Sequence, residues 1–205
     1  MTTAGVFILD GQSFDVENNV WLVGDDAEVL VIDSAHDAGA ILGGVAGRRV
    51  TGIVCTHGHN DHIGAAVELA ERTGAPIWLH PDDRMLWEQV HGSHAPDAEL
   101  ADGGTVAVGS IDLRVLHTPG HSPGGICLYT PALDGRSVLF SGDTLFQGGP
   151  GATGRSYSDF PTIITSIRER LLTLPSETEV HTGHGDSTTI GAEAPHLQEW
   201  IDRGS

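Results

Sequence analysis

Residues 57–62 read His-Gly-His-Asn-Asp-His, which puts three imidazoles and one carboxylate into six consecutive positions. Imidazole nitrogen and carboxylate oxygen together suit zinc, iron or manganese. The segment before them, residues 50–55, is Val-Thr-Gly-Ile-Val-Cys and reads as a buried strand. A strand that ends in such a cluster exposes its ligands at the rim of a sheet. In extended chain, residues two apart point to the same side, so His57 and His59 are able to grip one ion. Asp61 and His62 fall where the next helix is expected to begin, and there they turn towards a second ion. One ion does not need this many ligands from one loop. The spacing therefore predicts a two-metal enzyme, in which adjacent ions acidify water and polarise a carbonyl.

Three further candidates each follow an apolar run and are preceded at once by glycine: His121 after Gly120, Asp143 after Gly142 and His184 after Gly183. Glycine permits the close turn that aims the next side chain into a site. Ligands gathered from several strand ends are a rigid way to assemble a metal centre.

The elements that must position these residues are legible as short runs. Residues 20–23 and 29–32 are β-branched stretches separated by Gly24-Asp25-Asp26, a hairpin signal. Helices are expected over 37–46, 63–72, 81–91, 163–172 and 194–201. Further strands are expected over 77–79, 106–108, 111–116, 126–129, 138–140 and 180–181. Strands dominate both halves and helices intervene, which predicts two sheets with helices packed outside them. His117 and His181 lie on strands and read as packed structural residues. His36, His80, His91, His94 and His196 read as solvated. Trp78 and Trp87 read as core, and Asp82-Asp83-Arg84 as a solvated helix start where acids suit the dipole.

The chain has 205 residues, enough to bury a core, and 39% of them are apolar. Its formal net charge of -18 speaks against nucleic acid, which is held by basic contacts to phosphate. All ten basic residues are arginine. No apolar run reaches the length of a membrane span, and no export signal opens the chain. Cys55 and Cys127 are accordingly expected as free thiols in a reducing cytoplasm, packed in apolar strands. Neither lies in a Cys-x-x-Cys spacing, which argues against a closed structural metal site. The partner expected is a small-molecule substrate, with neither nucleic acid nor membrane.

The order His-x-His-x-Asp-His, then a single His, Asp and His, resembles the metallo-β-lactamase superfamily over nearly the whole chain. Within it the chain looks most like the glyoxalase II (hydroxyacylglutathione hydrolase) branch in its short, single-domain form. The resemblance implies a single domain over 1–205 with α/β architecture, a four-layer αβ/βα sandwich carrying its metals at one edge. It implies that His57, His59 and His121 hold one divalent ion, that Asp61, His62 and His184 hold another, and that Asp143 bridges them. Zinc is the expected metal, with iron or manganese as alternatives. Asp61 is also placed to orient the attacking water. Asp33 resembles the aspartate that braces the metal loop; a turn cap is the other reading. Class B β-lactamases lack a bridging aspartate in this form, so Asp143 counts against antibiotic hydrolysis.

Gly154-Arg155-Ser156-Tyr157 stands where glyoxalase II enzymes carry Gly-Lys-x-Tyr, so the resemblance places Arg155 and Tyr157 against the thiol carrier of the substrate. A surface salt bridge and a core aromatic are the competing readings. Few residues follow His184, whereas longer members append a helical domain with further carrier contacts. The implied substrate is a hydroxyacyl thioester of glutathione, mycothiol, bacillithiol or another small thiol. Two alternatives share the superfamily. A persulfide dioxygenase would hold one iron on His57, His121 and Asp143, and a lactonase would place a tyrosine, here Tyr157, near the leaving oxygen.

Overall fold

In a computed structural model, which describes residues 1–204, the chain opens with an antiparallel ribbon of β1 (Thr2–Leu9) and β2 (Gln12–Asn19). A five-stranded sheet follows, ordered β3 (Trp21–Gly24), β4 (Glu28–Ile32), β5 (Arg49–Val54), β6 (Ile77–Leu79) and β7 (Ala98–Glu99). The next strands in the chain are β8 (Thr105–Val108), β9 (Ile111–His117), β10 (Ile126–Leu133) and β11 (Arg136–Gly142). After the small pair β12 (Leu145–Phe146) and β13 (Gly149–Pro150) come β14 (Glu179–Thr182) and β15 (Thr188–Thr189). The second sheet is ordered β15-β14-β11-β10-β9-β8. The α-helices are α1 (Ala38–Val45), α2 (Asn60–Ile63), α3 (Ala66–Thr73), α4 (Arg84–His91), α5 (Phe160–Ser166), α6 (Ile190–Glu193) and α7 (Leu197–Arg203).

Alternation along the strands sets the layers. Val29 and Val31 of β4 pack with Ile41 of α1, Leu69 of α3 and Trp87 of α4. Leu30 and Ile32, one residue out of phase, pack instead against Val106, Leu113, Leu128 and Phe140 of the second sheet. The far face of that sheet gives Leu116, Leu139 and Val180 to a third cluster with Ile163 of α5 and Trp200 of α7. The order is therefore helices, sheet, sheet, helices: a four-layer αβ/βα sandwich. Strands buried on both faces read as unbroken apolar runs, as β4 does from Val29 to Ile32. Leu30 and Ile32 are wholly buried, each worth about 1.5–3 kcal/mol of transfer from water.

Strand direction explains why the candidate ligands meet. β4 and β5 are parallel, so Asp33 and the 56–62 loop leave the first sheet at the same end. In the second sheet β9 and β11 are both antiparallel to β10, and β14 is parallel to β11. The loops carrying His121, Asp143 and His184 thus also leave at a common end. Ile126 N donates to Thr56 O and Gly183 N to Gly142 O, tying these exits together.

Several elements differ from the sequence reading. The expected 63–72 helix is divided, because the chain turns at Gly64-Ala65, where Ala65 N donates to Ser34 O. The short α2 that results carries Asp61 and His62. The expected 163–172 helix starts earlier, because Asp159 accepts from Thr162 N as a cap and Pro161 fits the first turn. The β1–β2 ribbon has no counterpart in the expected elements. No helix among the described residues is long and apolar enough to cross a membrane. Both cysteines are free and buried; burial pushes the Cys127 thiol up to about 11 and the Cys55 thiol well above its ordinary value, so packing is their evident role.

Candidate metal centre

All seven candidates converge where the two sheets meet. His57 Nε2 lies 3.0 Å from His59 Nδ1, which lies 3.0 Å from His121 Nε2. Three lone-pair nitrogens at this spacing surround a single point, with the ring planes nearly perpendicular. At His57 and His121 the opposite nitrogen fixes the tautomer. His57 Nδ1 faces Thr56 Oγ1 at 3.2 Å, and His121 Nδ1 donates to Ala152 O at 2.8 Å.

A second set lies beside the first. His62 Nε2 is 3.1 Å from His184 Nε2, and Asp61 Oδ2 is 3.5 Å and 3.3 Å from those nitrogens. His184 Nδ1 donates to Glu17 O and His62 Nδ1 to Asp33 Oδ2, at 2.7 and 2.9 Å. Asp143 stands between the sets: Oδ1 is 3.3 Å from His62 Nε2, while Oδ2 is 3.5 Å from His121 Nε2 and 3.4 Å from His184 Nε2. Asp33 also accepts from Thr56 N and Thr56 Oγ1, so one buried carboxylate steadies His62 directly and His57 through Thr56. At Gly183 an added Cβ would lie 2.1 Å from Asp143 Oδ1, so only glycine lets this carboxylate reach its place.

The donor set fits divalent ions. Asp61 Oδ1 and Asp143 Oδ1 are buried with no hydrogen-bond partner, which costs free energy unless a cation or water meets them. Burial and neighbouring imidazoles hold His57 well below its ordinary pKa and His59 at about 3, keeping both in the neutral, ligating form. Burial alone would also lower His62 and His184. The carboxylates of Asp143 and Asp61 override it, taking His62 well above its ordinary value and His184 to about 10. In chelator-stripped protein His184 holds its proton up to about pH 10, and His62 stays protonated well above its ordinary value. An ion entering their set must displace those protons, so its affinity rises with pH across the neutral range. Calorimetric titration at pH 7, repeated in buffers of different ionisation enthalpy, is expected to show more protons released at the second set than at the first. Equal release at both would contradict this.

The sequence reading missed two positioning groups. Asp83 is fully buried rather than solvated; it accepts from Gly58 N at 2.8 Å, Ser122 Oγ at 2.7 Å and Gly124 N at 2.5 Å. It thereby joins the loop of His57 and His59 to the loop of His121. Asn18, wholly buried at the end of β2, donates from Nδ2 to Asp61 Oδ2 at 3.0 Å and accepts at Oδ1 from His36 Nε2 at 2.7 Å. The ribbon that carries Asn18 is anchored by Asn60, whose side chain accepts from Ile8 N and donates to Val6 O. A signal for the ribbon was present in Asp10-Gly11, a two-residue turn with both φ values positive.

Arg155 and Tyr157 are separated by the fold. Arg155 lines a recess that reaches His59 and His121; its guanidinium donates to Gln12 Oε1 and lies over the Phe14 ring. Tyr157 is 44% exposed and is not among the residues that line this recess. His80 is buried, stacked on His117 with planes 11° apart, which corrects its reading as solvated. His36 and His91 are likewise partly buried and bonded, to Asn18 and to Ile63 O. His80, Asp82 and His117 gather potential ligand atoms too, but stacked rings cannot aim both lone pairs at one ion. His181 stacks on Trp21.

A family model of the metallo-beta-lactamase superfamily matches residues 14–184. The hydroxyacylglutathione hydrolase GloC of Haemophilus influenzae is 34% identical over 193 residues, 86% of this chain and 90% of that protein. Among solved structures, the BLEG-1 B3 metallo-beta-lactamase aligns with a TM-score of 0.80 at 30% identity, covering 96% of this chain and 98% of that one. TTHA1623 in a di-iron-bound form aligns at 0.78 and 34% identity, covering 87% and 93%. ETHE1 from Myxococcus xanthus aligns at 0.74 and 28% identity, covering 97% and 88%.

Proposed function

The chain belongs to the metallo-beta-lactamase superfamily, and from that premise we propose that it is a two-metal hydrolase of small-thiol thioesters. The observation that carries this reading is the pairing of two complete ligand sets by one carboxylate, Asp143. Members of the superfamily bind divalent metals. We assign His57, His59 and His121 to one ion, Asp61, His62 and His184 to the other, and Asp143 to both, with zinc as the metal. Ions held there would supply the Lewis acidity that activates water and polarises a carbonyl.

The residues supply direction. Asp61, fixed at Oδ2 by Asn18, leaves Oδ1 to accept a hydrogen bond from the attacking water and turn its lone pair towards the carbonyl. Asp33, Thr56, Glu17 O and Ala152 O hold the imidazoles of His57, His62, His121 and His184 so that these four need not reorient during turnover. A thioester suits such a site because its thiolate departs without a general acid. The likeness to GloC supports the same substrate class. Arg155, in the wall of the recess beside His59 and His121, is the group we assign to the thiol carrier. The reaction would take place in the cytoplasm, where free thiols persist.

The likeness to ETHE1 raises a second reading, a dioxygenase with one iron on His57, His121 and Asp143. Against it stands the completeness of the second set, whose two histidines are each oriented by an acceptor at the far nitrogen. The test is a turnover panel of thioesters, lactones, a persulfide and a cephalosporin on metal-quantified protein, with oxygen uptake followed in parallel. Thioester hydrolysis without oxygen uptake is expected. Persulfide-dependent oxygen uptake with no thioester hydrolysis would overturn the proposal.

A further inference from the structure

Two recesses open on His59. One leads past His121 to Arg155 and Ser156 and is small, with ≈ 40 Å³ of space. The other is a cleft of ≈ 340 Å³ between the ribbon and α4, walled by Ile8, Leu9, Leu86, Gln89 and Val90. Leu9 and His59 belong to both, so the two recesses form two arms that flank one candidate metal-binding imidazole.

The two arms differ in chemistry. Arg155 puts a cation in the first wall, whereas no charged side chain lines the second. Asn60, a polar residue of the cleft, already uses its amide on the backbone of Val6 and Ile8. Leu86 closes the floor so tightly under the ligand loop that a Cβ at Gly58 would lie 2.8 Å from Leu86 Cβ. Ile8 and Val90 remain 58% and 37% exposed at the rim of a protein that carries 28 acidic residues. Apolar side chains left open beside a reactive centre mark a binding surface. The volume falls in the range of about 300–1,000 Å³ common to small-molecule sites.

We propose that this cleft holds the acyl arm of the substrate, so that the preferred thioester carries an uncharged, apolar acyl group larger than acetyl. The assignment rests on the thioesterase reading: the first recess is too small for a whole thiol carrier, so Arg155 meets a carboxylate of the carrier at the mouth of that recess, and the acyl group takes the larger cleft. A hydroxyacyl group such as lactoyl would place its hydroxyl against Leu86 and Val90 with only Gln89 free to meet it.

The test is a series of acetyl, lactoyl, butyryl and hexanoyl thioesters of one carrier, glutathione, assayed with the metal-loaded protein. Catalytic efficiency is expected to rise from acetyl to butyryl by about fourfold per added methylene, and lactoyl to fall below butyryl. Ile8→Asp and Val90→Asp, both at exposed positions, are each expected to lower the butyryl-to-acetyl ratio by roughly tenfold with metal content unchanged. Calorimetry with S-ethyl, S-butyl and S-hexyl glutathione gives a second readout that needs no turnover. A flat series, or lactoyl preferred over butyryl, would overturn the acyl assignment while leaving the thioesterase standing. Tightening of thioether binding with alkyl length, in the absence of any thioester turnover, would overturn the reaction and support the cleft.

Discussion

Asp143→Ala is expected to remove turnover more completely than His184→Ala. The Asp143 carboxylate reaches His62 at one oxygen and both His121 and His184 at the other. Its removal therefore disturbs both ligand sets, whereas loss of His184 leaves His57, His59 and His121 intact. Changes to groups that merely support a ligand already cost 10–100-fold, so losing a shared ligand should exceed about 100-fold. Burial would raise Asp143, but His62 and the hydrogen bonds from His184 hold its carboxyl well below the usual carboxylate range. It stays ionised, so the alanine variant also loses a negative charge facing His62. Turnover and metal content of both variants should be measured together. Near-normal turnover with two ions retained in Asp143→Ala would show that no bridge exists.

The second large effect is expected at Asp83. Truncation to alanine strands the buried N–H groups of Gly58 and Gly124 and leaves Ser122 without its acceptor. Unmet buried donors cost about 1–3 kcal/mol each, so a stability loss on the order of 3 kcal/mol follows. The loss should be uneven. Asp83 joins the two loops of the first set and touches no ligand of the second, so ion affinity should fall at His57, His59 and His121 and persist at Asp61, His62 and His184. Asp83→Asn keeps a carbonyl oxygen for part of this network and should be intermediate in both measures. Equal weakening of both ion sites in Asp83→Ala would mean that the residue supports folding generally and does not position the first set.

The difference between Asp83 and Asp143 shows what a sequence carries. Asp143 sits after a strand and a glycine, a pattern readable within three residues. Asp83 sits in Asp-Asp-Arg behind a proline, which is also how a solvated helix start is written. Its burial comes from loops whose contacting residues, Gly58 and Ser122, lie 25 and 39 positions away and meet it only in the folded chain. The layers were legible because β4 is apolar on both faces, β5 ends in Ile53 and Val54, and a helical run separates them. The ribbon was not: β1 does carry Val6-Phe7-Ile8-Leu9, but its partner β2 holds only the isolated apolar residues Phe14 and Val16, so no second run marks the pair. Asn18 was hidden for the same reason, since nothing local distinguishes it from its neighbour Asn19. Arg155 and Tyr157 are separated by a backbone turn, with Tyr157 at a φ of 70, that spacing alone does not reveal.

The most direct test of the two-metal hydrolase is to add Zn²⁺ stepwise to chelator-stripped protein while following hydrolysis of a thioester. Turnover is expected to keep rising after the first equivalent and to level off at the second, with His184→Ala levelling at the first and at a lower rate. A plateau at one equivalent in the unmodified protein, with no further gain from a second ion, would contradict it.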